Sequence, residues 1–170
     1  MKTNLTLIGM PGAGKSTIGI ILAKNLSLGF IDTDVLIQIN QQRSLQEIID
    51  ASDYLHLRQV EADEISKLNL SNHVIATGGS AAYSPRAMEH LARISFIVFL
   101  EVSFAELNRR ITNFETRGIA KADHQSFQDL FDERQLLYRR YADITLDCDG
   151  LDQETAARQI AQLYRSLPAG

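Results

Sequence analysis

The stretch Gly9-Met10-Pro11-Gly12-Ala13-Gly14-Lys15-Ser16 constrains this chain more than any other, because it fits G-x-x-x-x-G-K-[ST]. Residues 5–8 before it form an apolar run of strand type, and residues 17–26 after it have helical character. Strand, glycine-rich turn and helix, in that order, build a phosphate cradle. The glycines let the backbone turn and bring its N–H groups up to phosphate oxygens, while the helix directs its positive end at the same anion. In such a cradle Gly12, Ala13, Gly14, Lys15, Ser16 and Thr17 bind the phosphates of a nucleoside triphosphate. Lys15 reaches the β- and γ-phosphates, and the Ser16 hydroxyl ligates Mg²⁺.

The rest of the chain alternates between two kinds of segment. Apolar runs at 29–31, 73–76, 94–100 and 144–146 read as further buried strands. The spacing of Val35, Leu36 and Ile39 predicts a helix after the second strand, and Ser44 followed by Glu47 predicts a capping box that opens a helix through Ile48 and Ile49. Helices are also predicted over 53–68, from Pro85 through Met88 and Leu91, over 104–111 with Ser103 as cap, over 125–141 and over 152–167. Five strands joined by right-handed helical crossovers predict an α/β fold, a three-layer sandwich around a five-stranded parallel sheet. A chain of 170 residues, 45% hydrophobic, suits a single domain over 1–170. Ligands of such sheets sit beyond the carboxyl ends of the strands. Residues 9–16, 32–34, 77–80 and 112–122 are therefore expected to face one another.

A net charge of −4 argues against a polyanion as the main partner. No run approaches a membrane span in length, and Met1-Lys2-Thr3-Asn4 leads straight into the first strand without the pattern of a signal peptide. The expectation is a cytoplasmic monomer acting on a small molecule, with neither nucleic acid nor membrane as partner. The lone cysteine, Cys148, excludes an internal disulfide and reads as a small apolar filler beside Leu146.

Asp32 and Asp34 follow the second strand directly, where two carboxylates beside a phosphate cradle suit a Mg²⁺ ion and a substrate hydroxyl. Helix capping accounts equally well for one of them. Arg58 and Glu61 share a helix face, and Arg134 lies within a charged run; spacing alone makes these surface ion pairs. Gly78-Gly79-Ser80 suits a close backbone approach to a ligand, or a tight turn. The polar stretch 112–124, with Arg117 and Lys121, reads as a lid that brings Arg117 onto the transferring phosphate, or as a plain loop. Arg139 and Arg140, between Tyr138 and Tyr141, read as an amphipathic helix end.

Taken together these motifs resemble the shikimate kinase family, nearly end to end. The resemblance lies in the cradle at 9–16, in Asp32-Thr33-Asp34, in Arg58 followed by Glu61, in Gly78-Gly79, and in Arg134-x-x-x-Tyr138 before Ala142. It implies a fold like that of the P-loop nucleoside monophosphate kinases, with an acceptor-binding helical segment at about 33–62 and a lid at about 112–124. It also implies ATP and Mg²⁺, with Asp32 helping to hold the metal through water, Arg110 packing on adenine and Arg117 supporting the γ-phosphate. Asp34 is implied to hold the acceptor hydroxyls and to orient or deprotonate the attacking one, and Arg58 and Arg134 to clamp the carboxylate, with Glu61 orienting Arg58. Guanidinium groups suit a carboxylate well, and two of them fix its orientation.

Four departures fall on the acceptor side. The family's Arg-Pro-Leu-Leu is here Arg117-Gly118-Ile119-Ala120, which predicts a looser hinge and a missing apolar contact; its third glycine is Ser80; and two positions often held by phenylalanine are Ile49 and Leu57. The implied reaction is phosphorylation of shikimate to shikimate 3-phosphate. A smaller hydroxy acid such as homoserine stays open as acceptor, as does a nucleotide-binding regulatory module without catalysis.

Overall fold

The structure, a computed structural model, describes residues 2–111, 118–122 and 124–166. Strand β1 (Asn4–Ile8) is buried at every position, as a central strand covered on both faces must be. It runs through the cradle into α1 (Lys15–Leu26), followed by β2 (Gly29–Asp32), α2 (Thr33–Gln41), α3 (Leu45–Ala51) and α4 (Tyr54–Ser66). Next come β3 (His73–Ala76), a 3₁₀ turn (Ala81–Tyr83), α5 (Pro85–Ile94), β4 (Ser95–Glu101) and α6 (Phe104–Arg110). The chain ends with α7 (Phe127–Tyr141), β5 (Ile144–Asp147) and α8 (Gln153–Ser166).

The sheet is parallel throughout, with order β2-β3-β1-β4-β5. Only the step from β1 to β2 runs toward the β2 edge; every later crossover runs the other way. Right-handed crossovers then put α1 on one face and the helices of the later steps on the other. The packing agrees, since α1 lies against α8 and α4 against α5. Chain direction diverges at β1, so a crevice opens beyond its carboxyl end. The loops after β1 and β3 meet there.

Two polar residues of β1, Asn4 and Thr6, are completely buried. The Asn4 amide donates to Leu70 O (2.8 Å) and Ile94 O (2.9 Å), and its carbonyl accepts from His73 N (2.9 Å). One side chain thereby ties together the entries to three strands. Thr6 and Ser95 pair through their hydroxyls at 2.7 Å, and Ser95 also donates to Leu91 O at 2.7 Å. The backbone turns extended at Ser95 (φ −142°, ψ 159°), which ends α5 at Ile94, so β4 begins one residue later than the apolar run over 94–100 predicts.

Other boundaries shift for local reasons. Helix α1 starts at Lys15 because Gly14 takes a left-handed conformation (φ 92°) at its N-cap. Helix α7 starts at Phe127 behind a capping box made by Ser126 and Asp129, and the predicted Ser44–Glu47 box opens α3. The 3₁₀ turn after β3 has no counterpart in the sequence prediction. A second apolar cluster, Ile37, Ile48, Leu57, Val60 and Ala120, sits apart from the sheet among α2, α3 and α4.

Replacing Asn4 by Ala removes three buried hydrogen bonds and strands their partners. We expect the unfolding free energy to fall by about 2–4 kcal/mol, read from the urea midpoint. A change below about 0.5 kcal/mol would mean that Asn4 does not tie these strand entries together.

Candidate active site

At the cradle, no side chain caps the first amides of α1, because Gly14 stands where a capping residue would. Those N–H groups remain available to an anion. The Lys15 side chain folds back over the loop, and its ammonium donates to Gly9 O (2.7 Å) and Met10 O (2.9 Å). Burial pulls its pKa down to about 8, against the opposing pull of Asp34, Asp32 and Glu61.

Asp32 divides its two oxygens between two tasks. Oδ1 accepts from Asp34 N (2.9 Å) and Val35 N (3.3 Å), capping α2, while Oδ2 accepts from the Ser16 hydroxyl at 2.5 Å. The capping reading of Asp32 is thus met by one oxygen, and the other faces the Ser16 hydroxyl. A hydroxyl and a carboxylate oxygen side by side form a hard-oxygen set that could hold Mg²⁺, which binds through one or two protein ligands, water and phosphates.

A cavity of about 770 Å³ spans the crevice. Gly12, Ala13, Gly14, Lys15, Ser16, Thr17 and Arg110 line one part of it, and Asp34, Gly78, Gly79, Ser80 and Arg134 line another. Asp32 and Arg58 are set back from this wall. Arg117 lies outside the described residues. Arg110 donates from Nε to Glu106 Oε1 at 2.7 Å, and hydrogen bonds from Arg109 and Arg110 hold the Glu106 carboxyl down at about 2.

The turn after β3 is pressed from both sides. A Cβ on Gly78 would run into Glu61 Oε1 and Asp34 Oδ1, and one on Gly79 would lie 2.5 Å from Arg134 Nη1. The glycines are there because side chains crowd them, not only for the turn. Arg134, almost fully buried, donates to Ala120 O at 2.8 Å, and Arg58 donates to the same oxygen at 3.3 Å. The Arg58 guanidinium lies 3.6 Å from the centre of the Tyr83 ring and 5.0 Å from that of Tyr54.

Glu61 is not the partner of Arg58 that helical spacing predicts. Its carboxylate turns toward the β3 turn and accepts from the Ser80 hydroxyl, while Oε1 is buried without a hydrogen-bond partner among the described residues. Burial and the charge of Asp34 push this carboxyl from the ordinary 4.5 up to about 7.

The family model for shikimate kinase matches residues 11–165. The chain belongs to the shikimate kinase family. It is 36% identical to the shikimate kinase of Mycobacterium avium (strain 104) over 173 residues, 99% of this chain and 96% of that one. It is also 36% identical to the shikimate kinase of Rhodococcus erythropolis, covering 98% of each chain. The solved shikimate kinase of Acinetobacter baumannii in complex with shikimate matches all of this chain and 97% of its own, with 26% identity and a TM-score of 0.91. An APS kinase of Mycobacterium tuberculosis, 16% identical with a TM-score of 0.59, shares the fold alone.

Within this member of the family the departures are milder than the sequence suggests. Leu57 lines the cavity, but Ile49 packs on the second apolar cluster and is absent from the wall, where Ile37 and Leu45 stand. Gly118 is closely packed: it sits at φ 63°, and a Cβ there would lie 2.6 Å from Leu45 Cβ and 2.8 Å from Gln46 N. Ala120 is buried in the second cluster, so an apolar contact survives at that point. Sequence reasoning missed Tyr83 and Tyr54 beneath Arg58. It gave Tyr138 a place in the family motif but no role, whereas Tyr138 is buried and its hydroxyl donates to Gly79 O at 2.5 Å. The Tyr138 spacing from Arg134, one helical turn, was the available signal.

Folding favours the neutral form of Glu61. Its contribution to stability is complete below pH 4.5 and is lost as pH rises through about 7. The unfolding free energy of the parent relative to Glu61→Gln should therefore fall between pH 5 and pH 8, by up to about 3 kcal/mol. Urea titrations of both proteins at the two pH values measure this, and a constant difference would contradict the burial argument.

Proposed function

We propose that this chain transfers the γ-phosphoryl group of MgATP to a hydroxyl of shikimate, giving shikimate 3-phosphate. The observation that carries the reading is the single cavity of about 770 Å³ bordered by the cradle and by Asp34, the Gly78–Gly79 turn and Arg134. A phosphoryl donor held in the first part and an acceptor held in the second would meet without either crossing solvent. The solved relative from Acinetobacter baumannii is a complex with shikimate, which supports shikimate as the acceptor.

On this reading the cradle amides and Lys15 bind the phosphates, and Lys15 leaves the Gly9 and Met10 carbonyls to do so. Ser16 and Asp32 would hold Mg²⁺, which supplies charge neutralisation between the phosphate oxygens. Asp34 accepts the proton of the acceptor hydroxyl as that oxygen attacks phosphorus. Arg134 and Arg58, already converging on the Ala120 carbonyl oxygen, exchange it for an acceptor carboxylate. Arg110 packs against the base, and Arg117 stabilises the charge on the transferring group. Catalysis of this kind is mostly positioning and electrostatic stabilisation.

Neither alternative is favoured. The case for homoserine leaned on a re-lined pocket; Leu57 and Ser80 line the cavity and Ile49 does not, while the 36% identity to shikimate kinases over nearly the whole chain supports shikimate. A regulatory module needs no acceptor-side arginines beside its nucleotide site.

ADP release with MgATP, measured against shikimate, homoserine and gluconate with an acceptor-free control, tests the proposal. Saturable turnover with shikimate alone is expected. Turnover confined to another acceptor, or none above the control, would contradict it.

A further inference from the structure

The turn after β3 carries two glycines in succession, and such a turn leaves its peptide planes free to rotate unless something outside holds them. Arg134 Nη1 and Pro11 Cδ crowd Gly79, at 2.5 Å and 3.0 Å from where a Cβ would stand, but neither residue bonds to its carbonyl. Among the described residues the donor to Gly79 O is the Tyr138 hydroxyl, at 2.5 Å. We propose that Tyr138 is a positioning residue: its hydroxyl fixes the peptide plane between Gly79 and Ser80, so that the Ser80 N–H faces the cavity and donates to the acceptor beside Arg134.

Tyr138 is itself firmly placed. It is 1% exposed, and its ring lies 5.2 Å from that of Phe99 in β4, so the sheet sets the position of the hydroxyl. Burial pushes that hydroxyl well above its ordinary pKa, against the pull of Arg134, so the proton stays on the oxygen at any working pH. A phenol has one proton to give, and its other neighbour, Met10 Sδ at 4.0 Å, is a weak acceptor. The proton therefore goes to Gly79 O.

A trans peptide is planar, and its C=O and N–H point in opposite directions. With Gly79 O turned to Tyr138, the N–H of Ser80 points away from Tyr138. Gly79 and Ser80 border the cavity and Tyr138 does not, so that direction leads into the crevice. Arg134 borders the cavity as well, with Nη2 on Ala120 O and Nη1 close to Gly79. A guanidinium and a neutral N–H side by side suit one anionic group. Without the hydroxyl, Gly79 O is left unpaired next to Arg134 Nη1 and turns to it. The peptide plane then rotates, the Ser80 N–H swings off the acceptor, and Arg134 is partly spent on the backbone.

The kinetic half of the test rests on the proposed phosphorylation of shikimate; the spectroscopic half does not. Tyr138→Phe removes the hydroxyl and keeps the ring. The KM for the acceptor should rise about tenfold, the scale of one hydrogen bond, while kcat changes less than about threefold and the ATP KM less than about twofold. A merely structural role would raise both KM values together, and that result, or an unchanged acceptor KM, would overturn the proposal. In the free protein the carbonyl carbon-13 resonance of Gly79 and the amide nitrogen-15 resonance of Ser80 should both move in Tyr138→Phe, with those of α8 unmoved. In the parent, which covers the case of a variant that does not fold, the buried hydroxyl proton should give a resolved signal with a nuclear Overhauser contact to the Gly79 α-protons. Failure of either spectroscopic result would mean that Tyr138 does not hold this turn, whatever the acceptor. A parent without turnover on shikimate would contradict the kinase reading, while the spectra still decide the role of Tyr138.

Discussion

The cradle is closed on itself by one buried cation. The Lys15 ammonium sits against the carbonyls of Gly9 and Met10, and those two bonds hold the loop in the shape that leaves the α1 amides open. A buried ammonium is costly unless opposite charge lies near. Asp32, Asp34 and Glu61 supply that charge from β2, α2 and α4, and Arg134 balances it from α7. The elements that meet at the crevice are thereby bound into one electrostatic set, most of it out of water. The low local dielectric that makes such a set expensive also makes each member strong toward a ligand.

Topology explains why the set assembles at this place. Chain direction diverges at β1, and the loops after β1 and β3 come to lie side by side beyond the sheet. Asn4, at the opposite end of β1, anchors the other rim through the entries to β3 and β4. The second apolar cluster gives α2, α3 and α4 a core of their own, with Ala120 seated in it. That arrangement brings the Ala120 carbonyl oxygen to both arginines.

What was legible in the sequence was local. The cradle motif, the five strands and the caps at Ser44, Ser103 and Asp32 each depend on neighbours in the chain, and each is found where the pattern puts it. The partners of the site residues were not local. Spacing paired Arg58 with Glu61, yet Ser80, nineteen residues on, captured the carboxylate, and Tyr83 from the 3₁₀ turn took the guanidinium face. Tyr138 reaches Gly79 across 59 positions of sequence. No periodicity carries such information, because it arises only when the β3 turn, α4 and α7 pack together. The crowding at Gly118 was hidden for the same reason, since the close contact is with Leu45 and Gln46.

The account stands or falls on Lys15 as the cation that serves the transferring phosphoryl. Turnover of Lys15→Met with MgATP and shikimate, measured alongside its circular dichroism, tests this most directly. We expect a folded protein whose kcat is lower by at least about a hundredfold, the scale on which removal of one stabilising group at a transition state is felt. A folded variant with turnover within a few-fold of the parent would contradict the account.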